Sequence, residues 1–364
     1  MSTINWTVTV GATSFTSITQ SLSFTFGRTS YFETPTGGTC TFTVRNNTGQ
    51  AANINQGDQI QIGNNLSFDI SYFYVVEVTF QDEIASGANT ATITGIDAFG
   101  MLSLYYINDD PIIGTTNAIR QAIKLANEVY PYVPPYPPAV EYDGRAIVSD
   151  AFDPTTIGQR IGELLVTENS RYYFQGDTIE FVVSEAPPAY VWNFSTNAST
   201  ALVYDGLTRK YPNANYPNRV NLTSTTVGTT SATSAGNYDR NYNRQVLFNN
   251  LAQQQAQTDW FAAVLSQEAL YADLRFTDKP QNDTIMGYFL DSVATGLTGA
   301  TTNVTYTAPG GSPTTTTFVI EGGTCSAVPG QTTFTLYLSP TVIYDLFTLN
   351  SSTFGILNTN RLGW

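Results

Sequence analysis

Histidine is absent from the 364 residues, and no other single absence removes as much chemistry. Without it there is no Ser-His or Cys-His nucleophile pair, no zinc site of the deaminase or zincin kind, and no imidazole general base. Neither GxxxxGK followed by Ser or Thr nor GxGxxG after a strand occurs, so the two common phosphate cradles are missing as well. Charge is also scarce. Asp, Glu, Lys and Arg make up 12% of the chain, about half the ordinary fraction of roughly 25%. The 15 basic and 29 acidic residues sum to −14 with a pI near 4.2, a sign that repels phosphate and argues against sequence-specific nucleic-acid binding. A wall along which DNA slides without sticking is compatible with it.

Cysteine is limited to Cys40 and Cys325. The opening MSTINWTVTV lacks the basic, apolar, small-residue order of a secretion signal, so the expected compartment is a reducing cytoplasm and the expected state is two buried free thiols. No run reaches the roughly 18–20 apolar residues of a membrane span. Sequons at Asn65, Asn193, Asn221 and Asn303 follow from the abundance of Asn and Thr.

Of the catalytic sets only paired carboxylates are left, the requirement of glycoside hydrolysis. Asp109 and Asp110 precede Pro111, and Asp150 and Asp153 precede a predicted helix; both pairs read as turn formation and capping. Glu163 and Glu168, five apart on a helix, do not share a face. Lys124, Lys210 and Lys279 lie near no Ser in a recognisable motif. No catalytic residue, cofactor or metal is assigned, and no DxDxDG calcium loop occurs. The expectation is a non-enzyme.

What is abundant is Thr, Ser, Asn, Gly and Tyr, with 22 Tyr and 41% hydrophobic residues. That mix suits strands, tight turns and surfaces covered by other chains. The length exceeds the roughly 250–300 residues of a single core, so several domains are expected. Over residues 6–104 apolar positions alternate: Cys40, Phe42 and Val44; Ile60 and Ile62; Tyr72, Tyr74, Val76, Val78 and Phe80; Ala91, Ile93 and Gly95. Short strands at this spacing predict a small barrel or sandwich.

The period then changes. Ile119, Ala122, Ile123, Ala126 and Val129 predict a helix over 115–131, stopped by Pro131 and followed by the proline-rich PYVPPYPPAVEYDGR. A second helix carries Ile157, Ile161, Leu164 and Leu165 inward and leads to a hairpin turning at Gln175, Gly176 and Asp177. Gly158 and Gly162 on that helix mark a close approach, either to another chain or, as preferred, within the chain's own packing. Residues 221–237 read as an exposed loop or mobile hairpin. The longest helix is predicted over 249–270, burying Leu251, Thr258, Phe261, Ala262, Leu265 and Ala269. Strands resume before a tail that alternates Phe354, Leu357, Leu362 and Trp364 with polar residues, a pattern that predicts docking, in cis or in trans.

The fold class is therefore mainly β with inserted helices, an α+β multidomain chain. Its expected segments are 1–106 (N-terminal β-barrel), 107–195 (α+β), 196–246 (β with a Ser/Thr-rich loop), 247–340 (helix plus a second barrel-like unit) and 341–364 (docking tail). Tyr130, Tyr132, Tyr136 and Tyr142 along the proline segment are a candidate partner surface.

The order of FGRTSYFETPTGGTCTFTVRNNTGQ (residues 26–50), TIGQRIGELLVTENSRYYFQGDTIEFVV (156–183), NRVNLTS (218–224), LSQEALYADLRFTD (265–278), FVIEGGTCSAVPGQTTFTLYLSP (318–340) and the ending STFGILNTNRLGW resembles the minor tail proteins of tailed bacteriophages, of the baseplate-hub or tail-tip hub type. The resemblance implies tail-tube-like β-barrels, two per subunit, in a homotrimer that continues the six-fold tube to the tip. It further implies a virion protein made in the bacterial host cytoplasm. The implied neighbours are a tail-tube or distal tail protein, a tape-measure protein, and tip fibres or receptor-binding proteins. Residues 295–317 are richer in Thr and Gly than the strand pair the resemblance places there. Two other readings stand beside this one: a receptor- or carbohydrate-binding tail protein using the Tyr-rich loops, and a cell-wall glycoside hydrolase built on a carboxylate pair.

Overall fold

The computed structural model describes residues 4–15, 19–31, 33, 36–66, 68–83, 88–106, 116–117, 146–147, 155–168, 170–175, 178–183, 191–196, 201–210, 218–233, 241–265, 271–278, 283–295 and 297–341. Of the helix expected over 115–131, Thr116 and Asn117 are described and form a strand, while the remainder, the proline segment with its tyrosines, Asp109, Asp110, Asp150, Asp153, Lys124, Lys279 and the tail beyond 341 lie outside the described residues.

Alternating β-branched and aromatic residues build the first unit, because they fill one face of a pleated surface and leave hydroxyls on the other. It comprises β1 (Trp6–Val10), β2 (Thr13–Ser14), β3 (Thr19–Gly27), β4 (Thr39–Arg45), β5 (Gln59–Asn64), β6 (Asp69–Glu83) and β7 (Ala88–Asp97), followed by the short helix α1 (Ala98–Leu102). The strands pair antiparallel in the order β3-β4-β7-β6-β5-β1-β2. Cys40, Phe42, Val44, Ile60, Ile62, Ala91 and Ile93 are all fully buried in its core, as their alternation predicts.

β6 corrects its own sequence pattern. Register shifts against β5 (between Ile60 and Ile62) and against β7 (between Val75 and Glu77) each insert one extra residue on β6. Each bulge reverses the alternation. Val75, Val78 and Phe80 register with Gly95, Ile93 and Ala91 on the core side, while Tyr74 registers with Ile96 on the side of Glu77 and Thr79, so the period-two set from Tyr72 to Phe80 does not share a face.

β8 (Thr116–Asn117) and β9 (Ala146–Ile147) form a minimal pair. The helix α2 (Ile157–Glu168) buries Ile157, Ile161, Leu164 and Leu165, and leads into the hairpin β10 (Ser170–Gln175) and β11 (Thr178–Val183). β12 (Val191–Ser195), β13 (Leu202–Val203) and β14 (Gly206–Lys210) follow. A layer of β15 (Arg219–Ser224), β16 (Gly228–Thr233), β17 (Asn241–Gln245) and α3 (Leu251–Leu265) comes next, then β18 (Tyr271–Thr277), α4 (Asp283–Thr295), β19 (Thr301–Thr307), β20 (Pro313–Val328) and β21 (Gln331–Pro340).

The second unit closes on itself. Its strands run β12-β19-β20-β21-β18-β14, and residues 202–210 act as one strand broken at Tyr204 and Asp205, with β13 bonded to β12 and β14 to β18. Helix α4 fills it: Met286, Phe289, Leu290 and Val293 are buried, and the Phe289 ring lies 5.2 Å from Phe276 and 5.5 Å from both Trp192 and Phe334. Sequence reading placed no helix there, although these four residues recur at three and four. The Thr-rich residues 301–317 form β19 and the start of β20, so the strand pair is present after all.

The inserted layer also departs from expectation. Residues 219–233 form a hairpin whose Val220, Leu222, Ser224 and Thr230 are buried against α3. Leu251 opens α3 and is 60% exposed, because Asn250 caps the helix through Oδ1 (Ala252 N at 2.8 Å) one turn before it reaches the sheet. The buried stripe is largely polar: Gln254, Gln257 and Thr258 precede Phe261 and Ala262. Gln254 Nε2 donates to the Leu222 and Gly228 carbonyls at 2.7 and 2.8 Å. Thr258, Phe261 and Ala262 are buried as their spacing predicts, and apolar periodicity misses Gln254 because its burial rests on hydrogen bonds.

Candidate functional site

The two units share one sheet. β20 spends its first half against β19, then pairs β3 through six registered residues, from Gly322 with Gly27 to Ala327 with Leu22. An eight-strand antiparallel wall results, in the order β6-β7-β4-β3-β20-β21-β18-β14.

Alternation decides what this wall presents on the side away from both cores. One registered row reads Glu77, Thr94, Thr41, Ser23, Ser326, Thr333 and Thr277, crossing seven strands. Neighbouring rows hold Thr79, Thr92 and Thr43, and Thr25, Thr324 and Thr335. Hydroxyls bond across strands, Thr43 to Thr92 at 3.2 Å and Thr25 to Thr39 at 3.3 Å. The charges interspersed on the face have both signs: Glu77, Arg45, Arg275 and the Lys210–Asp273 ion pair. The α3 layer covers one end of the face, where Val319 and Tyr271 join its core.

Glycines and one ion pair lock the seam. Gly27 has φ +66°, and its backbone runs against Glu321 and Gly322 so closely that a Cβ on either Gly27 or Gly322 would strike main-chain atoms. Arg28 N donates to the Glu321 carbonyl at 3.0 Å, while Arg28 Nε meets Glu321 Oε2 at 2.9 Å, with the carboxylate buried and the guanidinium partly so. The guanidinium also lies 4.7 Å from the Tyr31 ring centre.

No protein-family model and no curated protein matches this sequence. Solved structures do match over nearly the whole chain. A tail protein from Neisseria meningitidis aligns with a TM-score of 0.66 at 13% identity, covering 93% of this chain and 97% of that one. The 43 kDa tail protein of prophage MuSo2 from Shewanella oneidensis gives 0.61 at 11%, covering 93% and 98%. An E. coli component of the type VI secretion system, described as structurally similar to the T4 tail proteins gp27 and gp5, gives 0.51 at 10%, covering 96% and 76%. The chain has the fold of a phage tail protein.

Within this tail-protein fold one titratable group stands out. Asp97 caps α1 through Oδ1, accepting from Gly100 N at 2.7 Å, and its Oδ2 accepts from Gly38 N at 2.5 Å. Burial lifts its pKa to about 7, against the opposing pull of those N–H groups. Thr36, two residues upstream of Gly38, accepts from the Tyr172 hydroxyl at 2.7 Å, so the PTGGT loop is held from two sides. This reads as a buried clamp, whose local signature is only the pair Gly37 and Gly38.

The remaining candidates fall apart spatially. Gly158 abuts Ser103 after α1, a contact within the chain, and Gly162 lines a cavity of about 450 Å³ shared with Phe99, Ser103, Glu163 and Arg244. Glu163 pairs with Arg160 at 2.9 Å and Lys210 with Asp273. Cys40 and Cys325 are buried thiols, both facing Phe24 in register and thus two strands apart, roughly 10 Å and too far for a bridge. Among the described residues no three metal-ligating side chains cluster, and no helix is long and apolar enough to cross a membrane. The docking residues Phe354, Leu357, Leu362 and Trp364 and the surface tyrosines Tyr130, Tyr132, Tyr136 and Tyr142 lie outside the described residues.

Proposed function

We propose that this chain is a structural subunit of a tail tip, a hub that assembles as a homotrimer and places six barrels around a channel. The observation that carries the reading is the hydroxyl wall running through both barrels. At about 4.8 Å per strand, eight strands span roughly 38 Å, and three copies give a circumference of about 115 Å, a channel about 37 Å across between backbones. That width passes a DNA duplex. A face of Thr and Ser with few charges of either sign does not gather phosphate by counterion release, so nucleic acid or an extended protein moves past it without being held.

In this proposal the hub joins the tube or a distal tail protein on one side to fibres or receptor-binding proteins on the other, with the tape-measure protein ending in its channel. It resides in the virion tail and catalyses nothing. The five-segment division of the chain belongs to the same proposal, with the second barrel drawing β12, β13 and β14 from outside segment 247–340. The mass of the purified protein in solution, together with a copy count in reconstructed tails, is the test. Three copies per ring are expected; a strict monomer absent from tails, or a ring of six, overturns the hub.

A further inference from the structure

We infer that the C-terminal tail of this chain docks as a fourth strand on the open edge of β17, with residues 346–350 lying in the cavity between β17 and α2 of the same copy. The layer runs β16-β15-β17, so β17 has β15 on one side and no described strand on the other. Val246 N donates to the Thr223 carbonyl at 2.9 Å. Main-chain groups alternate along a strand, so those of Tyr242 and Arg244 also turn to β15 while those of Asn243 and Gln245 turn outward. The outward Asn243 carbonyl accepts from Arg244 Nη1 at 3.0 Å. An edge of this kind takes up an extended segment through its main chain.

The cavity leaves room for one. It holds about 450 Å³, and α2 faces the edge across it with Gln159, Gly162, Glu163 and Val166, spaced three or four apart. Gly37 and Gly162 put no side chain into it. One end is apolar and uncovered: Leu104 follows the lining residue Ser103, Tyr106 bridges the lining residue Thr156, and the two are 56% and 68% exposed.

The tail has the pattern and the starting point for this site. LFTLN places Phe347 and Leu349 on one face and Thr348 and Asn350 on the other. The layer has the same two sides. Val220, Leu222 and Tyr242 are buried on one, while Ser231, Asn221 and Asn243 form a polar row on the other, hydrogen-bonded at 2.7 Å at each joint. Thr348 or Asn350 extends that row beside Asn243. Residues 346–360 carry no charge, so covering them strips no ion of its water. β21 ends at Pro340, next to Ser339, which registers with Val319, and Val319 shares a core with Tyr242. The tail thus starts at the border of this layer, and residues 341–345 span up to about 17 Å. The proline-rich 131–145 fits less well, since proline gives a ladder no N–H.

The test joins the two segments in the full chain with a short bis-maleimide, which the native Cys40 and Cys325 are too buried to meet. Thr348→Cys is combined with Asn243→Cys or with Ser231→Cys, Ser231 occupying the same row on the far edge of the layer. Opposed residues on one sheet face stay within about 8 Å even after a two-residue slip, whereas Ser231 lies three strand spacings, about 14 Å, from the docked strand. The Asn243 pair is expected to close within one copy, at monomer mass, at least tenfold faster than the Ser231 pair. Gln245→Pro removes an outward N–H from an edge strand, where proline is tolerated, and is expected to slow that closure about tenfold without lowering Tm. Equal rates at both positions, or no closure at either, overturn the docking. Products at dimer mass alone overturn its placement within one copy. Closure indifferent to Gln245→Pro overturns the strand pairing. The copy count of the hub is a separate measurement, so a trimer without this cross-link leaves the hub standing.

Discussion

Gly322→Ala tests the seam that makes one wall of two barrels. A Cβ built there lies 2.6 Å from Arg28 N and 2.8 Å from Arg28 O, and closer still to the Phe26 carbonyl oxygen. All three are main-chain atoms, so no rotamer relieves them. Restoring ordinary contact near 3.5 Å requires the two strands to part by roughly 1 Å or slightly more. Overpacking of this kind costs about 1–3 kcal/mol, and weakening one or two seam hydrogen bonds, Arg28 N to Glu321 O among them, adds about 1–2 kcal/mol. We expect a loss of about 3 kcal/mol in urea unfolding followed by fluorescence of the four tryptophans, which include Trp6 in the first unit and Trp192 in the second. Gly330→Ala is the control. Gly330 has φ +82° with no atom within 4 Å of a built Cβ, so it measures backbone strain alone, about 1–2 kcal/mol. If Gly322→Ala unfolds no more easily than Gly330→Ala, the seam yields to a methyl group and close approach does not hold it.

Arg28→Met leaves the Glu321 carboxylate buried without its guanidinium and should destabilise the fold by about 3–5 kcal/mol, with Arg28→Met/Glu321→Leu recovering part of the loss in a double-mutant cycle. Because burial raises the folded pKa of Asp97 to about 7, the folded state holds that proton more tightly than the unfolded chain does; the stabilisation is full below about pH 4 and is lost as pH rises through about 7. Urea midpoints from pH 5 to 8 should therefore fall more steeply for the native chain than for Asp97→Asn, and parallel slopes would remove Asp97 from the account. Phe289→Ala empties the centre of the second barrel and should cost about 3–5 kcal/mol by thermal or urea unfolding. Deleting residues 350–364 should leave the first barrel folded but weaken assembly, measured by solution mass and by incorporation into tails; unchanged assembly would make the alternation of that tail incidental.

Much of this architecture was legible because strand alternation is a local property. Cys40, Phe42 and Val44 need only their own pleat to face one side, and Ile157, Ile161, Leu164 and Leu165 only their own helical turn. The absent histidine and the scarcity of charge likewise bound the chemistry without any fold. The bulges of β6 were not legible, since an extra residue exists only relative to a partner strand. Nor was Gln254 on α3, which is buried because two carbonyls of a distant hairpin receive its amide, whereas Thr258, Phe261 and Ala262 on the same helix were legible from their spacing. Gly27 and Gly322 show the limit most clearly. Each is an ordinary glycine in sequence, 295 positions from the other, and their meaning appears only when β3 and β20 meet in register. The residues alone determined that this chain builds short strands with an apolar side and a hydroxyl side. The tertiary structure decided that the hydroxyl sides of two barrels become one surface, because a seam formed by long-range pairing sets the relative position of two faces that no local pattern relates.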